Sequence, residues 1–164
     1  MAAQEHKDHK DSPQQNLLWQ RPGFLVRRLH QIHSAMFFEG CREFGVTPLQ
    51  YSLLSILREQ PGLDQSRLGE ELGIDRSNAF DVVQRLKRAG LISLISDPID
   101  RRRKKTTLTT KGRALLKQLD PPALKAHSDL LNSLSAKQQA LLMALLQRVL
   151  VDVNELGRDV SSGI

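Results

Sequence analysis

The length, composition and charge of the chain exclude several classes of protein. Its 164 residues are 40% hydrophobic and 26% charged, which is ordinary for a globular protein of one domain, or of one domain with an attached helical region. The single cysteine, Cys41, excludes an intrachain disulfide framework and fits a reducing compartment. The best apolar run, residues 141–146, is too short to span a bilayer, and the first residues form no basic-then-apolar leader. These features predict a cytoplasmic protein with no membrane partner.

The first forty residues predict a polar tail followed by one helix. Residues 1–15 have no apolar periodicity and are expected to form a disordered tail. Apolar residues then recur at helical spacing, which predicts a helix that begins near Pro22 and ends near Gly40. Two histidines, His30 and His33, interrupt one apolar row of this helix. They are either partly exposed or hydrogen-bonded core residues, or they line a ligand cavity.

Three helices follow, and each begins at a capping residue. The run T-P-L-Q at residues 47–50 is a capping box with proline at the first helical position. Asp64 caps a short second helix, which is expected to end at Gly73. Asp75 caps a third helix, which is expected to end near Gly90.

The third of these helices has one apolar face and one polar face. The apolar positions follow helical spacing and are Ala79, Val82, Val83, Leu86 and Ala89. The opposite face carries Arg76, Ser77, Asn78, Asp81, Gln84, Arg85 and Arg88. Side chains of these types offer donors and acceptors to base edges in a DNA major groove, although an ordinary solvated helix face is the alternative.

Two short β-type runs, residues 91–96 and 104–108, are joined by a turn that opens with Asp-Pro. Five cations lie at or just after the tip of this predicted hairpin, namely Arg101, Arg102, Arg103, Lys104 and Lys105. Residues 76–113 contain eleven Lys and Arg against three Asp, a net charge of +8, whereas the whole chain carries +6. A basic segment in a nearly neutral remainder is typical of a polyanion-binding surface, and a basic tip suits a narrow minor groove.

The order helix, strand, D-P-I-D-R-R-R, strand, L-T-T-K-G resembles the winged helix-turn-helix of the MarR family of bacterial transcription regulators. That family's wing typically reads D-x-x-D-x-R, followed by a strand that ends in L-T-x-x-G. The matching residues here are Asp97, Asp100, Arg102, Leu108, Thr109 and Gly112. The resemblance implies a mainly α fold with a small β-hairpin wing (α+β), in which dimerisation helices flank the winged helix-turn-helix at both ends.

The last third of the chain is expected to contain further helices. Thr109 or Thr110 caps the first, and the prolines at 121 and 122 must break or kink it, so residues 120–123 are taken as a joint before helix resumes over 124–134. The final helix follows a capping box at Ser135. Its apolar seam consists of Leu142, Leu146, Val149, Val153 and Leu156. Such a seam is consistent with packing inside one chain or with pairing, and the resemblance favours an intertwined homodimer.

The chain is therefore expected to divide into four parts. Residues 1–15 form the tail, and residues 16–46 form an N-terminal dimerisation helix and linker. Residues 47–119 form the winged helix-turn-helix, and residues 120–164 form C-terminal dimerisation helices.

Together these features predict a dimeric repressor of a pseudo-palindromic double-stranded DNA operator. Ser66 and Arg67, early in the helix that precedes the polar-faced helix, are expected at phosphates. Base or phosphate contacts are expected from Arg76, Ser77, Asn78, Asp81, Gln84 and Arg85. The wing is expected to use Arg101, Arg102 and Arg103, with Lys104 and Lys105 at phosphates.

Release from DNA is expected to require a small aromatic or N-heteroaromatic acid, because members of the resembled family often bind such molecules between the dimerisation helices and the winged domain. The candidate ligand-binding residues are Arg27, His30, His33, Phe37 and Tyr51. Arg27 would be a weaker anionic clamp, and Tyr51 is alternatively a buried tyrosine with its hydroxyl at a surface.

Other functions stay open at this point. An effector-free architectural DNA-binding protein would need no cavity, and a protein-interaction module would direct the basic helix at an acidic partner. A thiol-based redox-sensing repressor would act through Cys41, for which an inert thiol is the alternative. The sequence contains no Gly-rich phosphate loop, no C-x-x-C and no recognisable nucleophile–base–acid set, so we expect no enzyme, cofactor or metal site.

Overall fold

The computed structural model of the protein describes residues 17–96 and 104–161, with side chains as far as residue 153. A short 3-10 turn at Leu17–Gln20 precedes the first helix, and another at Arg42–Phe44 follows it. The helices are α1 (Pro22–Gly40), α2 (Pro48–Glu59), α3 (Gln65–Leu72), α4 (Arg76–Arg88), α5 (Thr110–Leu130) and α6 (Ala136–Ser161). Two strands, β1 (Ile92–Ser96) and β2 (Lys104–Leu108), lie between α4 and α5. The predicted mainly α fold with a β-hairpin is confirmed.

Side-chain caps set where the helices begin, as the sequence predicts. The Thr47 hydroxyl accepts a hydrogen bond from the Gln50 backbone N–H (3.2 Å), and Gln50 Oε1 accepts one from the Thr47 N–H (2.9 Å), which completes the capping box. The Asp64 carboxylate caps α3 by accepting a hydrogen bond from the Arg67 N–H (3.0 Å). Thr109, rather than Thr110, caps α5 by accepting a hydrogen bond from the Gly112 N–H (3.0 Å).

The hairpin is antiparallel and is joined to the loop before α3. Its register pairs Ile92 with Leu108 and Ser96 with Lys104. The Gly62 N–H donates to the Thr106 carbonyl (2.9 Å), and the Thr106 N–H donates to the Leu63 carbonyl (2.9 Å). These bonds fix β2 to the loop between α2 and α3 within the winged lobe, by which we mean residues 47–119. The turn and its cations Arg101, Arg102 and Arg103 lie outside the described residues.

One core holds the winged lobe together. It is formed by leucines and a valine from four helices, all at most 2% exposed: Leu53, Leu54, Leu57, Leu68, Val83, Leu86, Leu116 and Leu119. From α1, Phe37 enters the same core, with Cys41 just behind it. Burying each large apolar side chain is worth roughly 1.5–3 kcal/mol, so this cluster holds α2, α3, α4 and α5 as one unit.

Of the break or kink expected at the two prolines, the break is wrong, because α5 runs without interruption from Thr110 to Leu130 through Pro121 and Pro122. Each proline leaves the carbonyl four residues earlier without its helical donor. Those residues, Lys117 and Gln118, are exposed, where water can hydrate their carbonyls. Leu116 and Leu119 before the prolines and Ala123 and Ala126 after them are buried, so tertiary contacts hold the helix on both sides of the prolines. The division of the chain at residue 120 stays a prediction.

The terminal helices present apolar faces that their own chain leaves uncovered. Leu146, Val149 and Val153 of the predicted seam are 40–58% exposed and so do not pack into a core of the same chain, Leu142 is half-buried, and the side chain of Leu156 lies outside the described residues. Val26 and Leu29 of α1 are also more than 40% exposed. Within the described ranges, none of the helices has the length and apolar character needed to cross a membrane.

Candidate DNA-binding surface and effector site

Helices α3 and α4 form a compact helix pair. A Cβ added at Gly69 of α3 would lie 3.3 Å from the Ala79 Cβ of α4, so the absence of a side chain permits this close approach. The turn between them ends α3 at Gly73 (φ 64°), a left-handed conformation that favours glycine. The Ile74 N–H then donates to the Gly69 carbonyl (3.0 Å), which fixes the angle between the helices.

The predicted polar face of α4 points away from the core. Ala79, Val83 and Leu86 are buried, as their spacing predicts, and the opposite side is open to solvent. Its exposed residues are Arg76, Ser77, Asn78, Asp81, Arg85 and Arg88, with Gln84 half-buried. The helix therefore offers donors and acceptors along one continuous surface, as a helix in a major groove must.

Asn78 is already engaged within the protein. Its side-chain amide donates to Asp75 Oδ2 (2.6 Å), and its backbone N–H donates to Asp75 Oδ1 (2.9 Å). These hydrogen bonds, the backbone one first, hold the pKa of the Asp75 carboxyl below its usual range. Asn78 thus stabilises the start of α4, and its side chain has less hydrogen-bonding capacity left for DNA than Ser77 beside it.

The predicted phosphate contacts of α3 lie beside the start of α4. Ser66 and Arg76 line the same 240 Å³ cavity between the two helices. Arg67 is exposed and pairs with Glu70 (3.2 Å), an interaction between two exposed groups that DNA phosphates can readily replace.

The segment that follows the hairpin is hydrogen-bonded to the end of α4. The Thr109 hydroxyl donates to the Gly90 carbonyl (2.7 Å), and Lys111 Nζ donates to the Ala89 carbonyl (2.8 Å), so the end of α4 is tied to the start of α5. Lys104 and Lys105 of β2 are exposed, as a phosphate-contacting role requires. The basic strand therefore leads directly into a segment that is hydrogen-bonded to the end of α4.

Three of the five predicted ligand-binding residues lie together between α1, α2 and α5. The Phe37 ring is 6.4 Å from the His33 ring and 5.6 Å from the Tyr51 ring, measured between centroids. By contrast, His30 is exposed, and the Arg27 guanidinium lies over the Phe24 ring (5.6 Å). We call His33, Phe37 and Tyr51 the aromatic cluster.

One neighbour of this cluster, His127 of α5, was not predicted from the sequence. Its ring stacks on that of His33 at 4.8 Å with an interplanar angle of 28°. His127 follows Ala123 by one helical turn, so it extends a row of α5 that faces α1. Because the helix was expected to break at the prolines, this periodicity was not followed across them. It is the sequence signal that could have identified His127.

His33 is held neutral in this cluster. Burial first, and then the positive charges that His127 and His30 would carry, lower the pKa of the His33 imidazole. Its Nε2 is buried and, among the described residues, has no hydrogen-bond partner. A neutral imidazole with a free nitrogen can bind a phenolic or heteroaromatic polar group.

The Tyr51 hydroxyl is bound to a carboxylate on α5. It donates to Asp120 Oδ1 (3.0 Å), and Arg58 Nη1 donates to Asp120 Oδ2 (2.6 Å). Burial and the hydrogen bond to Asp120 raise the pKa of Tyr51, so this group is a neutral donor. This hydrogen bond joins the aromatic cluster to α5.

The environment of Cys41 in this fold opposes a redox-sensing role for its thiol. The side chain is 1% exposed, and burial raises the pKa of its thiol, which opposes the thiolate that oxidants attack. It lies at the edge of a 420 Å³ cavity that Phe38, Arg42 and Val46 also line. These facts favour the inert thiol over the redox alternative.

A helix pair with an exposed polar second helix, followed by an antiparallel basic hairpin, defines a winged helix-turn-helix protein that binds DNA. Residues 44–103 match the sequence model of the MarR family. The HTH-type transcriptional repressor NicR of Pseudomonas putida is 30% identical over 128 residues, which cover 78% of this chain and 81% of that protein. The chain belongs to the MarR family of transcription regulators.

Two solved structures extend the comparison. The PcaV transcriptional regulator of Streptomyces coelicolor, in complex with its natural ligand, is 35% identical with a TM-score of 0.74, over 91% of this chain and 96% of that chain. BpsR of Bordetella bronchiseptica, whose DNA binding is regulated by 6-hydroxynicotinic acid, is 29% identical with a TM-score of 0.74, over 79% of this chain and 92% of that chain.

Proposed function

We propose that this protein is a homodimeric repressor that binds a pseudo-palindromic operator and is released by a small aromatic or N-heteroaromatic acid. The observation that carries the proposal is the polar face of α4, exposed beside a basic β2 in a segment of net charge +8. As a regulator of transcription the protein would act in the cytoplasm, where a bacterial chromosome lies.

The proposed DNA complex follows from the exposure of the polar face of α4 beside β2. Helix α4 would enter the major groove, with Arg76, Ser77, Asp81, Gln84 and Arg85 at bases or phosphates. Ser66 and Arg67 would contact the backbone beside it, and Lys104 and Lys105 would contact the backbone on the wing side. Arg101, Arg102 and Arg103 would reach the flanking minor groove.

The proposed dimer is supported by the uncovered apolar faces of α1 and α6. Exposed apolar faces on a monomer often mark an interface with another chain. Two copies joined through these helices would hold two α4 helices about 34 Å apart, the spacing of successive major grooves. Val149→Glu on α6 should give a monomer in analytical ultracentrifugation, while Lys137→Glu, exposed in the first turn of α6, should leave a dimer.

The proposed effector site is the aromatic cluster together with His127 and, nearer the surface, His30 and Arg27. These residues come from α1, α2 and α5, so a ligand here would touch both a dimerisation helix and the winged lobe. The similarity to PcaV and BpsR supports an effector of this class, because PcaV binds a natural ligand and BpsR responds to 6-hydroxynicotinic acid. Release requires the ligand to bind the two states of the dimer with different affinity, and a coupling of about 1–3 kcal/mol is typical.

The experiment that tests this function is a gel shift on the protein's own upstream DNA, with and without a panel of hydroxybenzoates and pyridine carboxylates. We expect a specific complex that at least one compound dissociates. His33→Ala should retain DNA binding and lose that response, whereas Arg28→Ala, an exposed change on the same helix, should retain both. Specific binding that no compound reverses would overturn the effector assignment and leave the DNA assignment intact.

A further inference from the structure

Phe80 is an exposed aromatic residue on α4, the helix that we propose enters the major groove. Its side chain is 51% exposed, whereas the apolar residues Ala79, Val83 and Leu86 of the same helix are at most 2% exposed. Phe80 lies outside the apolar row that packs into the core, so its burial contributes little to the fold. Single exposed apolar side chains are common on protein surfaces, so it is the position of Phe80 on the proposed DNA-facing helix, and not its exposure alone, that points to a ligand.

The position of Phe80 places it among the residues proposed to reach the bases. It lies four residues after Arg76 and four before Gln84, so the three side chains form one ridge along α4. It also belongs to the first half of the helix, the part that contacts base edges in helix-turn-helix complexes. The ring therefore lies on the flank of the polar face and not against the core.

The chemistry of the major groove offers one apolar group to such a ring. Adenine, guanine and cytosine present only donors and acceptors there, whereas thymine presents its C5 methyl group. We propose that Phe80 contacts a thymine methyl group and selects a T·A pair at one position of each operator half-site. This inference rests on the proposed entry of α4 into the major groove, and it assigns a specificity-determining role to a residue that makes no hydrogen bond with a base.

The test removes that methyl group and nothing else. The full-length protein would be used to select a high-affinity duplex from a random library, and each thymine would then be replaced in turn by deoxyuridine. A buried methyl group is worth roughly fourfold in affinity, so the wild type should lose about fourfold at one thymine of each half-site. Phe80→Ala should bind the thymine and deoxyuridine duplexes equally, and Phe80→Leu should retain part of the difference.

A matched variant separates this role from general weakening. Lys87→Ala removes an exposed cation two turns further along α4 and should weaken both duplexes while keeping their ratio. If Phe80→Ala bound too weakly to measure, the ratio measured for Phe80→Leu would decide. A wild type indifferent to every deoxyuridine substitution, or a Phe80→Ala variant that keeps the discrimination, would overturn the inference. Absence of any preferred duplex would instead overturn the proposed function.

Discussion

The Tyr51 hydroxyl donates a hydrogen bond to Asp120 Oδ1 over 3.0 Å and so joins α2 of the winged lobe to the middle of α5. Tyr51 is buried, and the residue after Asp120 is the first of the two prolines that α5 accommodates. The bond therefore holds α5 at the point where its own backbone hydrogen bonding is weakest. Arg58, also from α2, reinforces it from the solvent side by binding Asp120 Oδ2.

This arrangement predicts that loss of the Tyr51 hydroxyl destabilises the protein more than loss of the Arg58 side chain. Tyr51→Phe should lower the free energy of unfolding by about 1–2 kcal/mol, because it leaves a half-buried carboxylate without one of its donors. Arg58→Ala should cost less, about 0–1 kcal/mol, since its side chain is 43% exposed and water can replace it. Urea unfolding of both variants measures these values. A Tyr51→Phe variant as stable as the wild type would show that the bond adds nothing.

The depressed pKa of His33 predicts a loss of stability in mild acid. Its pKa in the folded protein lies below the unfolded value of 6.5, so the unfolded chain binds more protons between the two values. The contribution of neutral His33 to the free energy of unfolding is therefore fully present above pH 6.5, and it is lost as the pH falls through the pKa of His33 in the folded protein. Melting temperatures recorded from pH 8 to pH 5 should decline less for His33→Gln than for the wild type. Parallel declines would mean that His33 titrates normally.

Adding one methyl group at Gly112 should strongly lower the free energy of unfolding. It is buried at the start of α5, and a Cβ there would overlap the Leu91 carbonyl oxygen. Gly112→Ala should destabilise the protein by about 3 kcal/mol, since backbone must move. Gly23→Ala, where a Cβ meets nothing within 4 Å, should instead stabilise α1 by roughly 0.5–1 kcal/mol. Thermal unfolding of the pair checks both signs, and equal effects would contradict the close contact.

The basic strand predicts a change in the salt dependence of DNA binding. Lys104→Ala should weaken binding to operator and random duplexes by similar factors, because a phosphate contact carries no sequence information. The slope of log affinity against log salt should become shallower by about 0.9 for each phosphate that is no longer neutralised. Fluorescence anisotropy titrations across a range of salt concentrations measure this. Lys137→Ala on α6 should leave the slope unchanged, and a weakening confined to the operator would mean that Lys104 does not act through phosphate.

Much of the fold followed from local signals in the sequence. Thr47, Asp64, Asp75 and Thr109 cap their helices because each places an oxygen within reach of backbone N–H groups two or three residues ahead, an interaction that needs no distant partner. The apolar face of α4 and the residues of β2 were also predictable, since helical periodicity and a run of β-branched threonines are properties of a segment.

What only the tertiary structure decided depends on contacts between segments far apart in the chain. Whether proline ends a helix depends on whether tertiary packing compensates for the lost backbone hydrogen bond. For α5, packing against α1 provides this compensation. The partners His33–His127 and Tyr51–Asp120 are 94 and 69 residues apart, a pairing that no local pattern encodes. The sequence by itself determined most of the elements and the charge of the basic segment, residues 76–113. Packing decided which side chains meet and which apolar residues stay exposed. It therefore decided where Phe80, α6 and the aromatic cluster are available for the proposed contacts with DNA, a second copy and an effector.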